Sequence, residues 1–276
     1  MADCIPKIIH YCWFGGNTLG KKELACIESW SKFLPSYKIM RWDESNFDIR
    51  CCDYVSEAYD AKKWAFVSDF ARFAILYKYG GLYFDTDVEL IKPIDDILER
   101  GPFMGFETDW DEDSGTGVLG NNLAANPGLG LAANPGLSLY ESILDSYQGD
   151  HFVKPDGTYD TTTVVARTTE VLVGHGLKNK SGIQKVDDVW LYPRDYFNPK
   201  EFQTGNIKIT GNTRSIHHFS MSWLTPLEKK RHDIYARMVK SGLPRRRAEV
   251  LSKLFASVEM RDLTFFREKI RKIWKR

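Results

Sequence analysis

No stretch of this chain stays apolar over anything near the roughly 20 residues that a bilayer-spanning helix needs. The opening MADCIPKIIHYCW has neither a basic start nor a long apolar core, so no secretory signal is expected. Net charge is almost absent. Lys+Arg number 38 against 37 Asp+Glu, leaving +1, so global charge implies no nucleic-acid partner. Cysteine is sparse, at five residues, and none forms a CxxC pair. Adjacent Cys51 and Cys52 have poor geometry for an ordinary disulfide, so reduced thiols in a cytoplasmic protein are expected. The six histidines do not cluster with cysteine at zinc-ligand spacing, and no zinc site is expected. What remains is ordinary: 276 residues, 43% apolar and 27% charged, suited to one α/β domain with a real core.

The stretch that organises the rest is Val67 to Leu90, VSDFARFAILYKYGGLYFDTDVEL. Phe70, Ala71, Ala74 and Ile75 recur with helical period. Asp69 and Arg72, three apart, share one helix face. Gly80-Gly81 stops the helix, because glycine takes a left-handed cap without penalty. Leu82-Tyr83-Phe84 reads as a short buried strand running into Asp85-Thr86-Asp87. Two carboxylates at a strand end can turn toward one hard divalent cation, and a cation with open positions can hold a diphosphate. A bare Asp-x-Asp is usually a solvated turn. Here it follows a wholly apolar strand and a helix that offers an acid and a base.

Ser68-Asp69-x-x-Arg72, then Tyr79-Gly80-Gly81-x-Tyr83-x-Asp85-x-Asp87, resembles the signature of the DXD-containing glycosyltransferases of family 32. That group includes bacterial capsule and exopolysaccharide transferases and the yeast initiating mannosyltransferase, and is more distantly similar to the clostridial glucosylating toxins. The resemblance extends from about Ile5 to Leu224. It implies a GT-A fold, with a mixed, mostly parallel central sheet flanked by helices. It implies a retaining transfer from a nucleotide diphosphate sugar, with Mn²⁺ as the cofactor and Mg²⁺ as the substitute.

Taken in order, IPKIIHYCWFGG reads as a first strand and glycine turn, and is similar to the family loop that meets the nucleotide base. The resemblance makes Trp13 the residue that stacks on the base, while His10 reads as a packed strand residue. Lys21–Phe33 predicts a helix and Tyr37–Trp42 a second strand, a parallel α/β opening. Asp43 and Asn46 fit a turn. Gly120-Asn121-Asn122 resembles the stretch passing under the donor sugar, which makes Asn121 a donor-binding candidate beside Tyr83 and Asp85. TTTVVARTTEVL predicts a helix from Val164 to Gly174, capped by Asp160 and Thr163. HHFSMSWL is similar to the family's C-terminal motif, with Met221 where a small residue is usual. By that resemblance His218 completes the metal shell of Asp85 and Asp87, because it lies five before Trp223. His217 points to the opposite strand face. Ser222 and Trp223 close over the diphosphate. Asp69 and Arg72 hydrogen-bond the sugar hydroxyls.

Two features fall outside that pattern. LAANPGLG at 123–130 is followed by LAANPGLS at 131–138, a tandem copy of an eight-residue unit. Asn-Pro-Gly is turn chemistry, so a doubled surface turn is expected. From Glu228 the chain turns basic. Val250, Leu251, Leu254, Phe255 and Val258 form one helical stripe. Phe266, Ile270, Ile273 and Trp274 form another, opposed by lysines and arginines. Such helices can lie on an anionic membrane surface, or pack on a partner.

The reading is a catalytic domain over 1–227 with a basic helical extension over 228–276. Asp69, Arg72, Asp85 and Asp87 do the chemistry. The donor is a UDP-sugar in preference to GDP-mannose, and the acceptor a lipid-linked glycan in capsule, exopolysaccharide or O-antigen synthesis. The expected location is the inner face of the plasma membrane. Two other classes fit the same residues: a metal-dependent nucleotide-sugar phosphohydrolase, and a non-catalytic nucleotide-sugar or membrane-binding module.

Overall fold

The computed structural model describes residues 5–110, 123–220 and 224–261. It divides into two compact units, Met1–Pro199 with Lys208–His218, and Lys200–Ile207 with Phe219–Arg276. The second unit thus takes in a loop at 200–207 that the sequence places with the catalytic domain.

The first unit opens with β1 (Ile8–Cys12), α1 (Lys21–Phe33), β2 (Lys38–Trp42), α2 (Asp53–Asp60), α3 (Trp64–Tyr79) and β3 (Gly81–Tyr83). It continues through β4 (Val88–Leu90), α4 (Asp95–Leu98), β5 (Phe103–Thr108), β6 (Ala124–Ala133), α5 (Ser138–Asp145) and α6 (Val164–Gly174). It closes with β7 (Gln184–Val186), β8 (Val189–Tyr192), α7 (Arg194–Phe197) and β9 (Ser215–His217). Seven strands form one sheet in the order β2-β1-β3-β6-β5-β8-β7. β1 runs parallel to β2 and β3, and β5 parallel to β8, while β6 opposes both its neighbours and β7 opposes β8. Five strands therefore point one way. This is the mixed, mostly parallel α/β sheet that was expected.

Side-chain alternation sends successive residues to opposite faces. Leu82 and Phe84 enter one core with Ile9, Trp30 and Phe103; Tyr83 enters the other with Val67, Ala71 and Leu131. The path β1–α1–β2 covers the first face, and α2–α3–β3 the second. The chain direction across the sheet thus reverses between β1 and β3. A crevice opens at the carboxyl ends of adjacent parallel strands at such a point. α3 ends where the sequence stops it: Gly80 has φ 62° and Gly81 φ 96°, and a Cβ on Gly81 would lie 2.6 Å from the Ile8 carbonyl oxygen.

One expectation is corrected. The tandem repeat is not a doubled surface turn. Its first copy lies in β6, whose ten residues are all buried. Only the second copy makes the turn, at Asn134 to Gly136, before α5. The strand can be built of alanine and glycine because its neighbours are large. A Cβ on Gly130 would lie 2.9 Å from the Phe84 ring.

β4 and β9 form a separate antiparallel pair with Val88 opposite His217 and Leu90 opposite Ser215. α1 ties this pair down. The Trp30 indole N–H donates to the Val88 carbonyl at 2.7 Å, and the Leu90 N–H donates to Ser29 Oγ at 2.9 Å.

The second unit holds α8 (Pro226–Lys240) and α9 (Arg245–Glu259). α8 starts on a capping box of Thr225 and Glu228 with Pro226 in its first turn. α9 buries its small residues Ala248, Ser252 and Ala256 and leaves Val250, Phe255 and Val258 exposed. The stripe at Phe266 to Trp274 lies outside the described residues. Among the described residues no helix is long and apolar enough to cross a membrane.

Candidate functional site

Asp85 and Asp87 leave the carboxyl end of β3, where strand geometry gives way to a turn closed by the Val88 N–H on the Asp85 carbonyl at 3.0 Å. The turn is what lets two carboxylates two apart face the same way. β9 then brings a histidine alongside. His217 Nε2 lies 3.1 Å from Asp87 Oδ1, and one ligand atom from each of Asp85, Asp87 and His217 lies within 4.8 Å of the others. Burial acts to lower the His217 pKa, but Asp87, Asp85 and Glu107 together raise it, so the net shift is upward.

The histidine in this group is the one that the motif spacing sent to the other face. His218 was expected as the ligand, but its Nε2 lies 2.8 Å from Glu89 Oε2. The two histidines do face opposite ways, as alternation requires. The β4–β9 register decides which of them meets the aspartates, and it sets His217 beside Val88.

Behind the aspartates stands Arg72, on the buried face of α3. Its Nη2 lies 2.8 Å from Asp69 Oδ1 and 3.3 Å from Asp85 Oδ1, while its Nε donates to the Ser68 carbonyl at 3.1 Å. The guanidinium lies over the Tyr83 ring, 5.0 Å from its centroid. The Tyr83 hydroxyl donates to Asp85 Oδ1 at 3.0 Å. Burial pushes the Asp69 carboxyl up to about 7; Arg72 opposes the rise and Asp85 adds to it. Asp69, Arg72, Tyr83, Asp85 and Asp87 are thus assembled together, as their spacing suggested.

Trp13 follows β1, the parallel neighbour of β3. Its N–H donates to the Trp42 carbonyl at 2.8 Å and its indole N–H to the Asn17 carbonyl at 2.7 Å. Gly15, with φ 90°, packs against the Trp64 indole and donates its N–H to Glu44 at 2.6 Å. Trp13 and Asp85 therefore leave adjacent strands at the crevice described above. His10 is a packed residue. Trp42 Nε1 can only donate, so His10 Nδ1 accepts at 3.0 Å and His10 Nε2 donates to the Gly80 carbonyl at 3.0 Å. Burial lowers its pKa to about 4, against the Gly80 bond. Asn121, Ser222 and Trp223, assigned to the donor and the diphosphate, lie outside the described residues.

Two residues beside Asp85, Asn126 and Gly128, carried no signal in the sequence. Asn126 Nδ2 donates to Glu107 Oε2 at 2.6 Å, and the Gly128 N–H donates to Asn126 Oδ1 at 2.7 Å. The Gly128 carbonyl accepts from the Asp85 N–H at 3.2 Å. Asn-Pro-Gly advertised a turn and concealed them.

Two carboxylates on a small turn with an imidazole beside them suit a divalent cation of the Mn²⁺ or Mg²⁺ kind. The group lies at the carboxyl end of a strand beside a switch point, the place where open α/β sheets bind their ligands. More specifically, residues 20–104 match the family described as "Glycosyltransferase sugar-binding region containing DXD motif", and Asp85-Thr86-Asp87 lies inside that stretch. Inositol phosphoceramide mannosyltransferase 3 of Schizosaccharomyces pombe is 36% identical over 101 residues, covering 35% of this chain and 28% of that protein. Inositol phosphoceramide mannosyltransferase 1 of the same yeast is 29% identical over 127 residues, covering 38% of this chain and 37% of its own length. The chain thus spans well under half the length of these relatives. The glycosyltransferase PaToxG matches in structure with a TM-score of 0.43 at 17% identity, covering 62% of this chain and 69% of its own.

Proposed function

We propose that this chain is a retaining, metal-dependent glycosyltransferase. In this reading it moves a hexose or N-acetylhexosamine from a UDP-sugar to a glycan acceptor. The observation that carries the reading is the Asp85–Asp87–His217 group at the switch-point end of β3, backed by the Asp69–Arg72 pair. Asp85, Asp87 and His217 would hold a divalent ion there, and it would supply Lewis-acid neutralisation of charge on the leaving diphosphate. Trp13 stacks on the base. Asp69 accepts hydrogen bonds from sugar hydroxyls, and Arg72 steadies Asp85 and favours the charge-rich transition state. The bond from the anomeric carbon to the phosphate oxygen breaks as the acceptor hydroxyl bonds to that carbon from the same side. The leaving phosphate takes the acceptor's proton, and the same-side attack retains configuration without a covalent enzyme intermediate.

The acceptor in this proposal is lipid-linked, and the chain works at the inner face of the plasma membrane in polysaccharide synthesis. Val250, Phe255 and Val258 of α9 support that reading, because they are exposed beside the basic run Arg245 to Arg247. The yeast relatives are named mannosyltransferases. Mannose carried on GDP is therefore the second donor to test.

The test is a thermal-shift series with UDP, GDP and CMP, with and without Mn²⁺, on the wild type and Asp87→Ala. A ligand bound only by the folded state raises the melting temperature. Stabilisation by UDP that requires both Mn²⁺ and Asp87 supports the reading; stabilisation by GDP alone moves the donor to mannose. No nucleotide effect with any metal overturns it. Rapid UDP-sugar hydrolysis that added acceptors do not slow would make the protein a phosphohydrolase instead.

A further inference from the structure

β6 is not a regular strand. Its pairing with β5 sets Ala125 against Phe106 and Asn126 against Gly105, then resumes with Leu131 against Met104. One step along β5 is matched by the whole run from Asn126 to Leu131, so Pro127 to Gly130 form a bulge. Proline is tolerated in a strand at such a bulge, where no ladder N–H is required. The bulge is buried and presses on the acidic turn. A Cβ placed on Gly128 would lie 2.1 Å from Asp85 Oδ2 and 3.1 Å from Asn126 Oδ1. Gly128 is not among the glycines with positive φ, so no left-handed conformation calls for glycine there. The side chain is absent for space, and the space belongs to the Asp85 carboxylate.

The second copy of the repeat supplies the contrast. Gly136 occupies the same place in LAANPGL, yet it has φ 73° and nothing within 4 Å of its would-be Cβ. Glycine is needed there for the turn and in the first copy for the neighbour. Asn126 completes the arrangement by holding the Gly128 N–H while Glu107 holds its amide.

We propose that Gly128 and Asn126, on the buried bulge formed by the first repeat copy, are positioning residues that set the Asp85 carboxylate for the divalent cation. This rests on the reading of Asp85 and Asp87 as cation ligands. It gives the repeat a task that a surface turn would not have.

Mn²⁺ binding to the full chain, followed by the electron paramagnetic resonance of the free ion, tests it without turnover. Groups that orient a metal ligand typically change affinity about 10–100-fold when altered. Gly128→Ala and Asn126→Ala should weaken Mn²⁺ by about that factor. Gly136→Ala should lower the melting temperature, through strain at its positive φ, and leave Mn²⁺ affinity unchanged. A folded Gly128→Ala with wild-type affinity overturns the proposal. Should that variant fail to fold, wild-type affinity in Asn126→Ala overturns it equally. Asp87→Ala separates the two levels. If it abolishes binding while the bulge variants keep wild-type affinity, only the bulge assignment falls; if wild type and Asp87→Ala behave alike, the cation site falls and takes the bulge with it.

Discussion

Asp69 should make the ligand-free protein less stable as pH rises, and Asp69→Asn should remove that dependence. Its carboxyl is raised from 3.8 to about 7 by burial, despite Arg72 at 2.8 Å. An acid whose folded pKa exceeds its unfolded value favours the folded state only while protonated. That contribution is fully present below about 3.8 and is lost as pH rises to about 7. Every tenfold weakening of an acid on folding corresponds to about 1.4 kcal/mol, so ionised Asp69 costs the fold about 4 kcal/mol at pH 8. The side chain keeps 14% of its surface exposed, which screens part of the cost and makes this figure a ceiling. Asparagine has the same shape, can still accept from Arg72, and never ionises. Urea unfolding of both proteins in chelator, from pH 4 to pH 8, gives the difference directly. The two should agree near pH 4 and diverge by up to about 4 kcal/mol in favour of Asp69→Asn at pH 8. A difference that does not change with pH, or a less stable Asp69→Asn at pH 8, refutes the assignment of a carboxyl that burial raises.

His217→Gln should abolish Mn²⁺ binding, whereas His218→Gln should leave it intact and change stability by less than about 1 kcal/mol through its pair with Glu89, which is partly exposed. Calorimetric Mn²⁺ titration of the two variants checks this, and equal affinities would return the choice between them to zero. Trp30→Phe leaves the Val88 carbonyl without its buried donor and should cost about 1–3 kcal/mol in denaturant unfolding.

The central helix, its glycine stop and the acidic strand end were legible because each rests on local rules. A 3.6-residue stripe, a residue with freedom at positive φ and a run of apolar residues are all properties of neighbours in sequence. β6 was illegible for the converse reason. Alanine, glycine and proline argue against a strand in isolation, and only the bulk of Phe84 and Phe103 across the sheet makes small residues the ones that fit. The repeat sharpens the point: two copies of LAANPGL adopt different structures, so what surrounds the peptide decides. The histidine choice failed on register. Alternation says that adjacent strand residues face apart, but not which one faces the site. α9 inverted a simple expectation as well, burying alanine and serine while Val250, Phe255 and Val258 stay exposed.

The pairing of β4 with β9 has a consequence for how the protein is made. Asp87 and its histidine are 130 positions apart. At the roughly 5–20 residues per second of protein synthesis, His217 follows Asp87 by about 7–26 s. Through that interval the first strands, α3 and the acidic turn can gather on the ribosome, while the β4 backbone has no strand to pair with. Completing the site is therefore among the last events of folding of the first unit, and it closes a long loop late. A chain interrupted before Ser215 would display both aspartates and lack the group that turns them into a three-ligand site.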